Sequence, residues 1–166
     1  MILFRIKYDG FPPRVPRREI NDVIRACLTR MGETWHRAYR PKHFTRAGAK
    51  EYGYTPRKGE GLHGRAFWKS YMGRKQRQKR HQRPLVWSGE SELRSRVRDV
   101  RATSKRVRIV LRTPTLNYRN KHSKINMAEE MRTVSRKEEQ ALTHMFDLQL
   151  SEGLRRLSGK QNVLIA

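Results

Sequence analysis

The chain has 166 residues, with 39 Lys+Arg against 15 Asp+Glu, a formal charge of +24 and a sequence pI near 11.3. That length suits one modest core, and that charge makes an isolated compact monomer repel itself, so a polyanion or an acidic protein surface is expected as neighbour. No apolar run approaches a bilayer span, Met1–Gly10 has no continuous apolar stretch of the secretory type, and the single cysteine, Cys27, forms no internal disulfide and fits a reducing place of synthesis.

In chain order, Ile2, Phe4, Ile6 and Tyr8 alternate with Leu3, Arg5 and Lys7, the period of a strand, until Asp9-Gly10 and three prolines end it. From Arg17 to Tyr39, residues Ile20, Val23, Ile24, Cys27, Leu28, Met31, Trp35, Ala38 and Tyr39 form one apolar stripe at helical spacing, closed by Pro41. Ala47–Tyr52 predicts a short helical turn. Arg57–Arg83 carries ten Lys/Arg and one acid, Glu60, interleaved with Phe67, Trp68 and Tyr71 and broken by glycines. It reads as an extended basic arm, with a helix around Gly64–Arg80.

Leu93–Thr113 predicts a β-hairpin turning near Thr103–Lys105, with Val107, Ile109 and Leu111 on one face and arginines on the other. Thr115–Lys124 reads as loop, and Met127–Met131 as a short apolar and acidic patch. Ser135 with Glu138 makes a capping box, so a last helix begins there, buries Leu142, Met145, Phe146, Leu150, Leu154 and Leu157, and ends at Gly159. The tail Val163–Ala166 is apolar and suits addition to a sheet edge or a second subunit. The fold expected is α+β: a small antiparallel sheet from the N-terminal strand and the hairpin, packed by two long helices. It is a single domain over 1–166, with 55–84 as the basic arm and 160–166 as the tail.

The six histidines form no His-x-x-x-His pair and no Cys/His cluster, there is no phosphate-binding glycine loop, and Ser88-Gly89 lacks the upstream glycine of a nucleophile elbow. His122 near Asn126 is a weak nuclease-like juxtaposition without metal-ligand spacing. The sequence therefore reads as non-enzymatic, with no catalytic residue, cofactor or metal. The basic material is the signal. Arg74, Lys75, Arg77, Lys79 and Arg80 form a dense run suited to phosphate or to acidic protein, with Trp68 and Tyr71 beside it able to stack on bases or anchor a subunit. Arg106, Arg108 and Arg112 lie on the second hairpin strand, the first two about 7 Å apart on one face, near the phosphate repeat of a DNA strand. Six of the acids fall between Glu129 and Glu152. That asymmetry suits head-to-tail contact between copies, and equally a solvated helix with acids near its N-terminus.

His43-Phe44-Thr45-x-Ala47-Gly48-Ala49, then Tyr52-Gly53-Tyr54, then Arg83-Pro84-Leu85-Val86-Trp87-Ser88-Gly89 resemble the virion-morphogenesis proteins of tailed bacteriophages, the tail-completion or head–tail joining components. In that family a Pro-Leu-apolar-x-Ser/Thr-Gly segment leads into a hairpin and a helix closes the domain. Glu90-Ser91-Glu92 departs from the basic residue and leucine that often follow. The resemblance implies a homo-oligomeric ring, hexameric by analogy, at the head–tail junction of the virion and in host cytoplasm during assembly. The ring would contact a connector on one side and a tail terminator or tube on the other, and could touch genomic DNA. Leu85, Trp87, Trp68 and Tyr71 are then candidate assembly anchors. The alternative from composition is a basic nucleic-acid-binding module of ribosomal or nucleoid type.

Overall fold

A computed structural model describes residues 2–5, 15–117 and 123–163, with side chains at all of these except Arg5 and 159–163. The fold is α+β, with a small three-stranded antiparallel sheet packed against long helices. The chain divides into two compact units, one built from 1–37, 98–110 and 136–166, the other from 38–97 and 111–135.

In the first unit, β1 (Ile2–Arg5), β2 (Arg98–Ala102) and β3 (Arg106–Leu111) form a sheet of order β1-β3-β2. β1 runs antiparallel to β3, with Ile2 opposite Ile109 and Phe4 opposite Val107. Strand alternation sends Val107 and Ile109 inward, both fully buried, and leaves Arg106 and Arg108 exposed. Residues 6–14 of the first predicted strand and its connector lie outside the described residues. The hairpin turn falls where expected, the Thr103 N–H donating to the Arg106 carbonyl at 2.9 Å.

Helix α1 (Arg17–Thr34) follows Pro16 and buries Ile20, Ile24, Cys27, Leu28 and Met31. Each such side chain contributes about 1.5–3 kcal/mol when fully withdrawn from water. Burial also pushes the Cys27 thiol pKa up. Gly32 brings α1 down onto the sheet, since a methyl there would stand 3.0 Å from both Val100 Cγ1 and Val107 Cγ2. The predicted stripe holds through Trp35, which is fully buried, and then shifts. Trp35–Tyr39 is a π-helical turn, so one extra residue rotates the face, His36 is buried and Ala38 is exposed.

The last helix begins just after Ser135. It is α7 (Arg136–Val163), preceded by α2 (Arg46–Glu51), α3 (Gly64–Lys69), α4 (Tyr71–Lys79), α5 (Glu90–Arg94) and α6 (Met127–Glu130). α7 packs along α1 and buries Glu138, Leu142 and Phe146, while Met145, Leu150, Leu154 and Leu157 are half-buried. Gly153 permits the approach, because a Cβ there would overlap Val23 Cγ1. Gly159 does not end the helix, which continues to Val163. A glycine inside a helix costs only about 1 kcal/mol relative to alanine, and no proline follows to stop the run. Leu164–Ala166 of the proposed tail lie outside the described residues.

The second unit opens with the 3-10 turn Arg40–Phe44 and α2. The basic segment 55–84 carries the anticipated helix in two pieces, α3 and α4, joined at Ser70. The hairpin begins later than Leu93, which sits in α5. Gly89, at φ 88°, starts that helix, Glu90 and Glu92 occupy its first turn, and Arg94 pairs with Glu90 at 2.6 Å. Acids at the N-terminus, a base in the last turn and an i,i+4 pair favour helix over strand there. Residues 118–122, including His122, lie outside the described residues. No helix among the described residues is long and apolar enough to cross a membrane.

Candidate interaction surface

The second unit is organised by two buried polar clusters. In the first, Thr45 caps α2, its Oγ1 accepting from the Gly48 N–H at 3.0 Å and donating to the Lys42 carbonyl at 2.8 Å. A Cβ at Gly48 would overlap that same carbonyl. The turn so fixed holds His43, which is fully buried. Its ring stacks on Tyr52 at 4.0 Å and its Nδ1 lies 2.5 Å from Tyr54 Oη. Burial drives the His43 pKa down to about 4, with the Glu130 backbone opposing. The residues quoted from His43 to Tyr54 thus interlock as scaffold.

In the second cluster, the Glu130 carboxylate accepts from Arg57 Nη1 at 2.8 Å, Arg57 Nη2 at 2.5 Å and the Thr55 N–H at 3.2 Å. Both side chains are nearly buried, at 12% and 9% exposure. Burial alone lowers the Arg57 pKa, but the hydrogen bonds and charge of Glu130 outweigh it and the net direction is upward. The partners stand 73 residues apart, and no local pattern announces them.

On this base sits the basic helix. Ser70 Oγ donates to the Phe67 carbonyl at 2.6 Å and accepts from the Gly73 N–H at 3.2 Å, which turns the chain from α3 into α4. Gly73 lets the two meet, since a Cβ there would overlap the Phe67 carbonyl and stand 2.7 Å from Trp68 Cα. The Met72 N–H donates to the Lys58 carbonyl at 3.1 Å, tying the preceding loop to α4. Arg80, left-handed at φ 59°, ends the helix.

The predicted contact run divides along the helical period. Arg74, Arg77, Lys79 and Arg80 are exposed. Lys75 is not a surface contact. It is 3% exposed and its ammonium donates to the Arg83 carbonyl. Burial, then the charges of Arg57 and Arg83, bring its pKa down to about 8. The reason is spacing: Tyr71 and Lys75, at i and i+4, share the face that meets residues 83–87. There Leu85 is held at φ 52° with its side chain buried, Val86 is buried, and Arg83 pairs with Glu92 at 2.9 Å. Leu85 therefore anchors inside the unit and offers nothing to a partner.

Trp87 and Trp68 are 42% and 45% exposed. Trp87 lies against Tyr71, centroids 5.8 Å apart. Cations stand over these rings: Lys79 Nζ at 5.8 Å from Trp87, Lys75 Nζ at 5.9 Å from Tyr71 and Arg77 Cζ at 5.9 Å from Trp68. Each such pair contributes about 0.5–1 kcal/mol at an exposed site and holds the cation in place. The result is two exposed indoles, Trp68 of α3 and Trp87 of the 83–89 segment, each beside a cation of α4, Arg77 and Lys79, while Lys75 over Tyr71 is buried. Arg106 and Arg108 belong to the other unit, and Arg112 is exposed beyond the end of β3.

A concave site of about 850 Å³ lies within the same unit, among residues 46–84. Its lining includes Arg46, Lys50, Tyr54, Trp68 and Lys75. Sequence reading missed it, because it needs the glycine-rich loop 53–64 folded back on α3 and α4. Among the described residues no three His, Cys, Asp or Glu side chains gather as a metal group. Compared with known families, curated proteins and solved structures, the chain gave no match.

Proposed function

We propose that this chain is a structural component of a tailed-phage virion, a neck or tail-completion protein that assembles as a ring at the head–tail junction. The observation that supports this reading is the Arg83–Gly89 segment, one of those that resemble the phage family. Its Leu85 and Val86 are driven into the unit while its Trp87 is left on the surface among cations. Exposed indole and arginine, as at Trp87, Trp68 and Arg77, are the residue types of a protein-interface anchor. A +24 chain gains by meeting acidic neighbours, and the cations held over Trp68 and Trp87 are presented for that purpose.

Light scattering on the full chain, with negative-stain imaging, tests the proposal. The expected result is a closed ring whose mass is a small multiple of 19.8 kDa, broken to monomer by Trp87→Ala. A chain that stays monomeric at every concentration, and is missing from purified virions by mass spectrometry, overturns it. A second reading, a nucleic-acid-binding module, is favoured by the exposed cations of α4 and by Arg106 and Arg108. It predicts a monomer that binds RNA or DNA with a steep salt dependence.

A further inference from the structure

We infer that the concave site of the second unit receives an unpaired nucleotide of a single-stranded nucleic acid, its base stacked on Trp68 and its phosphate met by Arg46 and Lys50. The inference stands whether or not the chain forms a ring.

Charge selects an anion. The lining carries one acid, Glu60, which accepts the Arg57 N–H at 2.9 Å and keeps its charge, against the cations Arg46, Lys50, Arg57 and Lys75. Arg57 is committed to Glu130. Arg46 is exposed, and Gln82 takes one N–H of a guanidinium that carries five donors. Lys50 is exposed beside it on α2. These two exposed cations are available to a ligand in a site whose other walls combine Tyr54, Phe67 and Trp68 with Leu62, Met72 and the buried Lys75.

Shape and π-surface then select among anions. About 850 Å³ is within the usual range for sites that enclose a small molecule, and is ample for one nucleotide. Trp68 presents much of its ring, and an aromatic face carries negative potential. Arg77, 5.9 Å over the Trp68 ring, serves either anion, so the indole itself discriminates: a nucleobase stacks on its exposed surface, whereas the carboxylate of an acidic peptide has no planar ring to lay there. The rim also admits close approach. Gly61 and Gly64 line the site at φ 80° and 57°, and open space stands where their Cβ atoms would be. Backbone amides are reachable there by a phosphate or a base edge.

Because a chain of this charge binds any polyanion, the test must read the base. Full-length protein is titrated against a fluorescein-labelled short oligothymidylate and against an abasic phosphodiester of equal length, by anisotropy in roughly 0.3 M salt, where charge-only binding is weak. The wild-type chain is expected to prefer the oligothymidylate by about tenfold or more. Trp68→Ala should abolish that preference without changing affinity for the abasic strand. Trp68→Phe, which keeps a stacking face and protects against a folding artefact, should retain most of it. Leu148→Ala, exposed on α7 and outside the site, should retain it fully. Arg46→Gln with Lys50→Gln should weaken both ligands and flatten the salt dependence. No base preference in the wild type, or a preference that survives Trp68→Ala, overturns the inference. So does a polyglutamate peptide that displaces the oligothymidylate as well as unlabelled oligothymidylate does.

Discussion

Removing the Glu130 carboxylate is the sharpest available test of how the second unit is held. In Glu130→Ala, Arg57 loses two hydrogen bonds, at 2.8 and 2.5 Å, and the Thr55 N–H loses its acceptor at 3.2 Å. Each bond to a charged group contributes about 1.5–3 kcal/mol. The sum overstates the loss, because water re-enters and the guanidinium relaxes outward. The governing cost is that of leaving a nearly buried cation unpaired, about 3–5 kcal/mol. Urea unfolding followed by tryptophan fluorescence measures it, with hydrogen exchange expected to show lost protection around residues 54–58 and 127–131. Arg57→Met combined with Glu130→Leu supplies the control. With both charges gone no unpaired ion remains, and the exposed Thr55 backbone can turn to water, so the double variant should be more stable than Glu130→Ala although it departs further from the native sequence. A loss under about 1 kcal/mol in Glu130→Ala, or a double variant less stable than the single, would refute the reasoning.

Other perturbations probe the remaining parts. His43 titrates near 4 when folded and near 6.5 when unfolded, so the unfolded chain binds the extra proton between those values. Stability should then be complete above pH 6.5 and fall by about 3 kcal/mol as pH drops towards 4, with the acid limb shallower in His43→Gln; an unchanged limb would count against it. Trp35→Ala should cost about 3–5 kcal/mol in the same urea assay, the penalty for emptying a fully buried indole site, and an unshifted midpoint would contradict its place in the core. Gly73→Ala should destabilise the α3–α4 corner by about 1–3 kcal/mol or more, because the new methyl meets backbone that cannot rotate away; a neutral effect would mean the corner is looser than described. Neutralising Arg74, Arg77, Lys79 and Arg80 while keeping Lys75 should leave the circular dichroism spectrum intact and weaken polyanion binding, whereas loss of structure would mark those cations as part of the scaffold.

Local periodicity carried a good deal of this molecule. Ile20, Ile24, Leu28, Met31 and Trp35 announce α1 because a helix returns the same face every 3.6 residues, and Val107 and Ile109 announce β3 because a strand returns it every two. The turn near Thr103–Lys105 and the start of α7 after Ser135 were legible for the same reason: the determining groups lie within a few bonds of one another. Tertiary structure alone decided what depends on partners distant along the chain. Lys75 looks like its exposed neighbours until Arg83 folds across it. Glu130 looks like a solvated acid until Arg57 arrives from 73 residues away. The shifted face after Trp35 follows from the extra residue of the π-helical turn, and the helix runs through Gly159 because one interior glycine costs too little to stop it. Burial and charge pairing are properties of a neighbourhood in space, and a linear pattern records only the part of that neighbourhood that is also near in sequence.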